Sequence, residues 1–259
     1  MKKTLQLFFC FCLISTAFAF NDKQKQSYYQ IIVYHLKNDT QIQTVDQYLQ
    51  KALLPALHKT GIKKVGVFKP ITNDTAADKR IYVFIPMKSI DQIEKIDDAI
   101  WKDADHDKNG ASYLNAAYNQ PSFQRKESML IKAFEEMPDF STPNLTGSVA
   151  EKIYEFRSYE GASEKLYRSK VDMFNAGGEI KLFERLQFNA VFYGSVLSGA
   201  QMPNLVYMTS FNNQAERDAK WKIFSDDPEW KRISTLPIYL NTVSHADIIL
   251  MHATNYSDL

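Results

Sequence analysis

Cysteine is almost absent. The 259 residues contain two, Cys10 and Cys12, and both stand inside one apolar N-terminal run. Set that run aside and no thiol is left, which excludes a disulfide framework, a thiolate nucleophile and a thiolate metal site. Long apolar stretches are equally scarce. The run from Leu5 to Ala19 falls short of the ~20 residues a membrane span needs, and nothing later approaches it, so no transmembrane anchor is expected. An excess of charge is missing too. The chain has 31 Lys+Arg against 30 Asp+Glu, and removing Lys2 and Lys3 lowers the 31 to 29, a net charge of −1. That balance offers no electrostatic footprint for nucleic acid or an anionic membrane.

What the N terminus does contain is a basic start (Lys2, Lys3), the apolar run and an Ala17-Phe18-Ala19 end. These are the three parts of a secretory signal peptide, residues 1–19. Cleavage after Ala19 would take 19 residues from 259 and leave 240. The residues before each Cys, Leu7-Phe8-Phe9 and Phe9-Cys10-Phe11, lack the small side chains of a lipoprotein signal. A freely exported protein, secreted or periplasmic, is therefore expected.

The rest of the chain reads as an internal repeat. Residues 29–36 (YQIIVYHL) alternate and are rich in β-branched and aromatic types, as a strand requires. A helix should follow, with Thr44 as its cap, Val45, Tyr48, Leu49, Leu53 and Leu57 at helical spacing, and Gly61 as its stop. Strands at 64–68 and 80–85, a helix at 90–102 and a strand at 129–134 complete a βαββαβ order. A linker rich in Pro and hydroxyl residues (138–148) comes next. The order then repeats: strand 152–159, helix 163–186 broken at Gly177-Gly178, strands 188–196 and 205–211, helix 214–224, strand 242–252. Val33-Tyr34-His35-Leu36-Lys37 matches Ile153-Tyr154-Glu155-Phe156-Arg157, which sets the repeat register at an offset of 120. The expected domains are 27–136 and 150–254, joined by 137–149, both of them ferredoxin-like α+β units.

A four-stranded sheet with helices on one face leaves the other bare. The two bare faces are expected to meet within the chain as a pseudo-dimeric α+β barrel. Alternation puts Tyr34/Leu36 and Tyr154/Phe156 toward the helices, and Val33/His35/Lys37 and Ile153/Glu155/Arg157 inside.

KIYEFRSYE at 152–160, EIKLFERLQFNAVFYGSVLSG at 179–199, NLVYMTSF with the Trp-bearing DAKW helix at 218–221, and DDPEW at 226–230 together resemble the NIPSNAP family of dimeric α+β barrel proteins. The likeness covers about a hundred residues of the second repeat. In the first repeat Gln120-Pro121-Ser122-Phe123 replaces Asp-Pro-Glu-Trp. The resemblance implies the barrel and no particular chemistry, since relatives in the wider superfamily include cofactor-free monooxygenases and haem enzymes.

Motifs of known chemistry fail in detail. Asp103-Ala104-Asp105-His106-Asp107 suggests a calcium loop, but Lys108 and Leu114 stand where an EF-hand needs Gly and Glu, so a solvated acidic turn before a short helix (112–118) is expected. Gly194 to Gly199 has phosphate-loop glycine spacing, with Ala200 and Gln201 where Lys and Ser/Thr belong. No GxSxG, HExxH or dinucleotide pattern occurs. The five His show no metal-ligand spacing, so neither a metal nor a cofactor is assigned. Asp227-Pro228 reads as a helix cap with Pro at the first helical position, and Trp221 and Trp230 as packing.

The interior row supplies the candidate ligand-binding residues: His35, Lys37, Glu155 and Arg157, joined by Tyr193 and His245. Charged groups in an enclosed volume need partners, so these either form an ion-pair network locking the two halves or end a pocket for a small organic or anionic molecule, an acid held by Arg157. The function expected is that of an exported NIPSNAP-like protein of unassigned activity binding a small organic ligand in the barrel. The alternatives are a structural or interaction module without catalysis and a cofactor-independent monooxygenase-like enzyme. Association with further copies of the chain is compatible with all of them.

The native protein is expected to begin at Phe20 or within a few residues of it. N-terminal sequencing that recovered Met1 would remove the export assignment.

Overall fold

Strand alternation and helix caps account for most of the elements in the computed structural model, which describes residues 25–259; the expected signal segment lies outside the described residues. The first half runs β1 (Tyr28–Leu36), α1 (Asp39–Tyr48), α2 (Leu54–Lys59), β2 (Gly66–Pro70), β3 (Lys79–Met87), α3 (Gln92–Trp101), α4 (Ala104–Leu114) and β4 (Arg125–Ala133). The second runs β5 (Ile153–Glu160), α5 (Glu164–Phe174), α6 (Glu179–Arg185), β6 (Asn189–Ser198), β7 (Asn204–Phe211), α7 (Gln214–Asp226), α8 (Pro228–Ser234) and β8 (His245–Ala253). Among the described residues no helix is long and apolar enough to cross a membrane.

Local chemistry sets the ends. Asn38, not Thr44, caps α1, its side chain accepting the Gln41 N–H at 3.0 Å, while the Thr44 hydroxyl donates back to the Thr40 carbonyl. Gly61 and Gly178 hold φ of +96° and +91°, the left-handed conformation that ends or begins a helix there. Asp227 caps α8 as the sequence suggests, and Ser163 caps α5. The acidic stretch after Trp101 is a correction. It forms α4, capped by Asp103, and is no turn, because Asp105 and Asp107 sit in the first turn where the helix dipole favours anions. His106 lies buried beneath it against the Tyr48 hydroxyl at 3.2 Å.

All eight strands form one closed antiparallel barrel in the order β1-β3-β2-β8-β5-β7-β6-β4. The halves join edge to edge at two seams, Phe68 opposite Ala253 and Ala133 opposite Gly194. Inside, Tyr29, Phe84 and Phe192 cluster with ring centroids 5.0–5.2 Å apart, Phe84 stacked on Phe192 and Tyr29 tilted against both, beside Phe68, Tyr154, Phe156, Met208 and Met251. Outside, α1–α4 cover Tyr34, Leu36, Ile81 and Val83, and α5–α8 cover Ile153, Tyr193, Tyr207 and Phe211.

The two first strands therefore do not share the register expected. In β1 the odd residues Val33 and His35 face inward; in β5 the even residues Tyr154 and Phe156 do, and Glu155 and Arg157 point to the helices. Structural equivalence thus needs an odd offset rather than 120. A one-residue slip transfers every side chain to the opposite face.

Glu155 shows why β5 prefers this register. It is fully buried and accepts from Arg157 Nε at 2.5 Å, Arg217 Nε at 2.7 Å and Trp221 Nε1 at 2.8 Å, the last two on α7. The Arg157 guanidinium also lies 3.7 Å over the Trp221 ring and donates to the Tyr159 hydroxyl at 2.8 Å. Burial works against the Arg157 charge, but Tyr207, Tyr159 and Glu155 outweigh it and raise its pKa. The ion-pair network expected between the halves thus lies wholly within the second half. Glu155→Gln removes the shared anion from two guanidinium groups that are 11% and 19% exposed, and should lower the unfolding free energy by about 3 kcal/mol. Chemical denaturation checks this, and an unchanged midpoint would deny the network its role.

Candidate functional site

Five strands each end at one mouth of the barrel with a polar residue, and each carries an apolar one two positions deeper. The pairs are His35 over Val33, Arg80 over Tyr82, Glu127 over Met129, Ser158 over Phe156 and Asp247 over Ile249, and together they line a cavity of about 210 Å³. A period of two makes this arrangement automatic, since residues i and i+2 share a face. Tyr82 and Phe156, with centroids 5.9 Å apart, form the floor. The connection from β6 to β7 brings Gln201 to the rim. A side recess of about 20 Å³ shares Glu127, Met129 and Gln201 and reaches Asn204.

Hydrogen bonding at the rim is incomplete. His35 Nδ1 lies 3.0 Å from both carboxylate oxygens of Asp78, and Arg80 Nε donates to the same carboxylate at 2.8 Å. A carboxylate only accepts, so Nδ1 carries a proton, and in the neutral imidazole Nε2 is the nitrogen with the lone pair. Nε2 is buried without a hydrogen-bond partner, 3.6 Å from Glu127 Oε1. Asn204, 1% exposed, donates to Ser158 Oγ at 2.8 Å but leaves its own Oδ1 unpartnered. Burial acts to raise the Asp78 pKa, yet the hydrogen bonds from Arg80 and His35 prevail and hold it below the ordinary 3.8. Burial likewise opposes the Arg80 charge, and Tyr82 and Asp78 reverse that and raise its pKa.

Of the six residues singled out from sequence, the structure brings His35 to this cavity. Lys37 lies exposed just past β1. Glu155 and Arg157 belong to the α7 network, so Arg157 has no free face for an acid. Tyr193 is buried in the outer layer, its hydroxyl also unpartnered, at the wall of a crevice of about 390 Å³ between residues 136–144 and α6. His245 is exposed beside the mouth, 3.3 Å from Asp247; with Glu160 these form a group whose ligand atoms lie within 4.8 Å of one another. That trio could meet a divalent cation, though two of its members already contact each other. Sequence reading missed Asp78, Arg80, Glu127 and Asn204. The alternation of Arg80, Tyr82 and Phe84 against Ile81, Val83 and Ile85 carried the signal, because Arg80 is the direct cross-strand partner of His35.

Comparison with known proteins divides along the same seam. Residues 154–258 match the NIPSNAP family. That span covers β5 to β8 and the α7 network. No curated protein matches the chain. Solved structures resemble the whole barrel. A proposed monooxygenase from Fusobacterium nucleatum is similar over 89% of this chain and 93% of its own, with 6% identity and a TM-score of 0.56. A second, from Lactobacillus acidophilus, covers 88% and 94% at 8% identity and a TM-score of 0.52. An anthrone oxidase-like protein covers 90% and 93% at 8% identity and a TM-score of 0.53. At these identities the likeness shows an α+β barrel fold, and no specific activity is assigned.

Asp78 should titrate below 3.8 in the folded protein. A lowered carboxyl pKa stabilises the fold above the unfolded value, and that contribution is lost as pH falls through the folded value. Carboxyl NMR titration checks this, with His35→Ala expected to move the midpoint upward.

Proposed function

We propose that the protein binds a small organic molecule in the mouth of the barrel. The observation that carries this reading is the pair of buried, unpartnered atoms, His35 Nε2 and Asn204 Oδ1, on residues that line a cavity with an apolar floor and its side recess. Buried polar groups are nearly always hydrogen-bonded, so such atoms mark a place where a ligand completes the set. At about 210 Å³ the cavity falls below the ~300–1,000 Å³ of sites for drug-sized ligands, which suits a molecule of one ring. Arg80 at the rim favours a ligand bearing an anionic or acidic group, taking the place first given to Arg157. The likeness to proposed monooxygenases is compatible with an enzyme acting on such a ligand without a bound cofactor, but the cavity carries the reading and the likeness does not. The repeated βαββαβ order supports two tandem ferredoxin-like units as the origin of the barrel, and the signal-like N terminus supports export. An interaction module is the weaker reading, because exposed apolar residues such as Trp101, Tyr118, Ile223 and Ile238 are dispersed over several elements.

Thermal unfolding with a panel of one-ring phenols and carboxylic acids tests the site. A ligand at a hundred times its Kd should stabilise the protein by about 2.7 kcal/mol. Gln201→Trp, at an exposed rim position, should plug the mouth and abolish the shift while leaving the unliganded midpoint in place. No shift with any compound, or an equal shift in the variant, would sink the proposal.

A further inference from the structure

We infer that His35 is a general base that takes a proton from a weakly acidic ligand, a phenol or an enolisable carbonyl compound, bound in the mouth cavity; this rests on the binding reading above. Three observations converge. First, Asp78 holds Nδ1 at 3.0 Å from both its oxygens, which fixes the tautomer and turns the basic lone pair of Nε2 away from the carboxylate. Second, Nε2 has no hydrogen-bond partner, although His35 forms part of the cavity wall. A ligand O–H or acidic C–H is the donor it lacks. Third, the surrounding charges suit both products of the transfer. The imidazolium formed would lie between Asp78 and Glu127, the latter 3.6 Å from Nε2, and the ligand anion would face Arg80.

The step is a proton transfer and needs no other reactant. The ligand's O–H or C–H bond breaks, its electron pair stays on the ligand, and the proton forms an N–H bond at Nε2. Asp78 is a positioning residue, since it reaches the ligand only through the imidazole. One of its oxygens, Oδ2, also accepts from Arg80 Nε, so the carboxylate cannot turn away from the ring without losing that bond. The charged groups facing His35 are Asp78 and Arg80 on β3 and its approach, Arg125, its direct cross-strand partner, and Glu127 on β4, and Asp247 on β8. The apolar floor of Val33, Tyr82 and Phe156 would take the ring.

The test uses 4-nitrophenol, whose anion absorbs in the visible and whose acid does not, with nitrobenzene as the probe lacking an acidic proton. One pH unit below the phenol's own pKa, about a tenth of the free probe is anion. Bound to the wild-type protein, most of it should be anion. His35→Gln should still bind both probes by equilibrium dialysis, yet hold the phenol as acid. Asp78→Asn should lower the bound anion fraction several-fold. His35→Asn provides a second variant should the glutamine misfold, and circular dichroism confirms the fold of each. Failure of both probes to bind wild type overturns the site and the base together. Binding of nitrobenzene with the phenol bound as acid overturns the base alone. Equal anion fractions in wild type and His35→Gln would assign the effect to Arg80. An imidazolium that persists in NMR titration above neutral pH would also overturn the inference, because Nε2 would then have no lone pair to offer.

Discussion

Closure of the barrel is the constraint on which the other features depend. An open four-stranded sheet from either half would expose one apolar face and two unpaired edges, and pairing β2 with β8 and β4 with β6 removes both liabilities. The second seam is tight. At Gly194 a Cβ would meet Ile131 Cγ2 and stand 2.7 Å from the Lys132 carbonyl oxygen, so only glycine lets the strands approach there. With the ring closed, each strand has an inside and an outside, and its middle must be apolar inward. Polar side chains are accommodated inside only where a strand ends and solvent is near. The mouth cavity follows from that geometry: five strands each change from apolar to polar within one two-residue step.

Two charged clusters illustrate how position decides role. Glu155, fully buried in the helix layer, meets two guanidinium groups and an indole N–H, so its hydrogen-bonding capacity is used within the protein. Such a cluster holds α7 against β5 and offers nothing to a ligand. His35 and Asp78 sit at a strand end, where the Asp78 carboxylate is partly exposed and one imidazole nitrogen lacks a partner. An imidazole fixed on one side and unpaired on the other can still form a bond. Both clusters pair carboxylates with cationic groups, and what separates them is whether the surrounding elements complete the hydrogen bonds.

The NIPSNAP match over residues 154–258 covers the half with the saturated network. Much of the candidate site comes instead from the first half: His35, Asp78, Arg80 and Glu127. The chemistry of the mouth therefore cannot be read from the matched half alone, and depends on what β1, β3 and β4 contribute across the seams.

Sequence by itself determined most strands and helices of both halves and the balanced charge, because alternation, helical spacing, caps and turn residues are local signals. Most strand positions and the Asp227-Pro228 cap were legible in this way. His35 was legible as an inward residue, because YQIIVYHL carries its own alternation. The inward face of β5 was not legible. Both rows of IYEFRSY are partly apolar and partly polar, so local pattern leaves the two faces nearly equal in free energy. What chose between them was tertiary: Arg217 and Trp221 arrive from α7, some sixty residues later, and stabilise Glu155 on the helix side. The same holds for the mouth, where Asp78 and Glu127 meet His35 only after strands distant in sequence are paired and the barrel is closed.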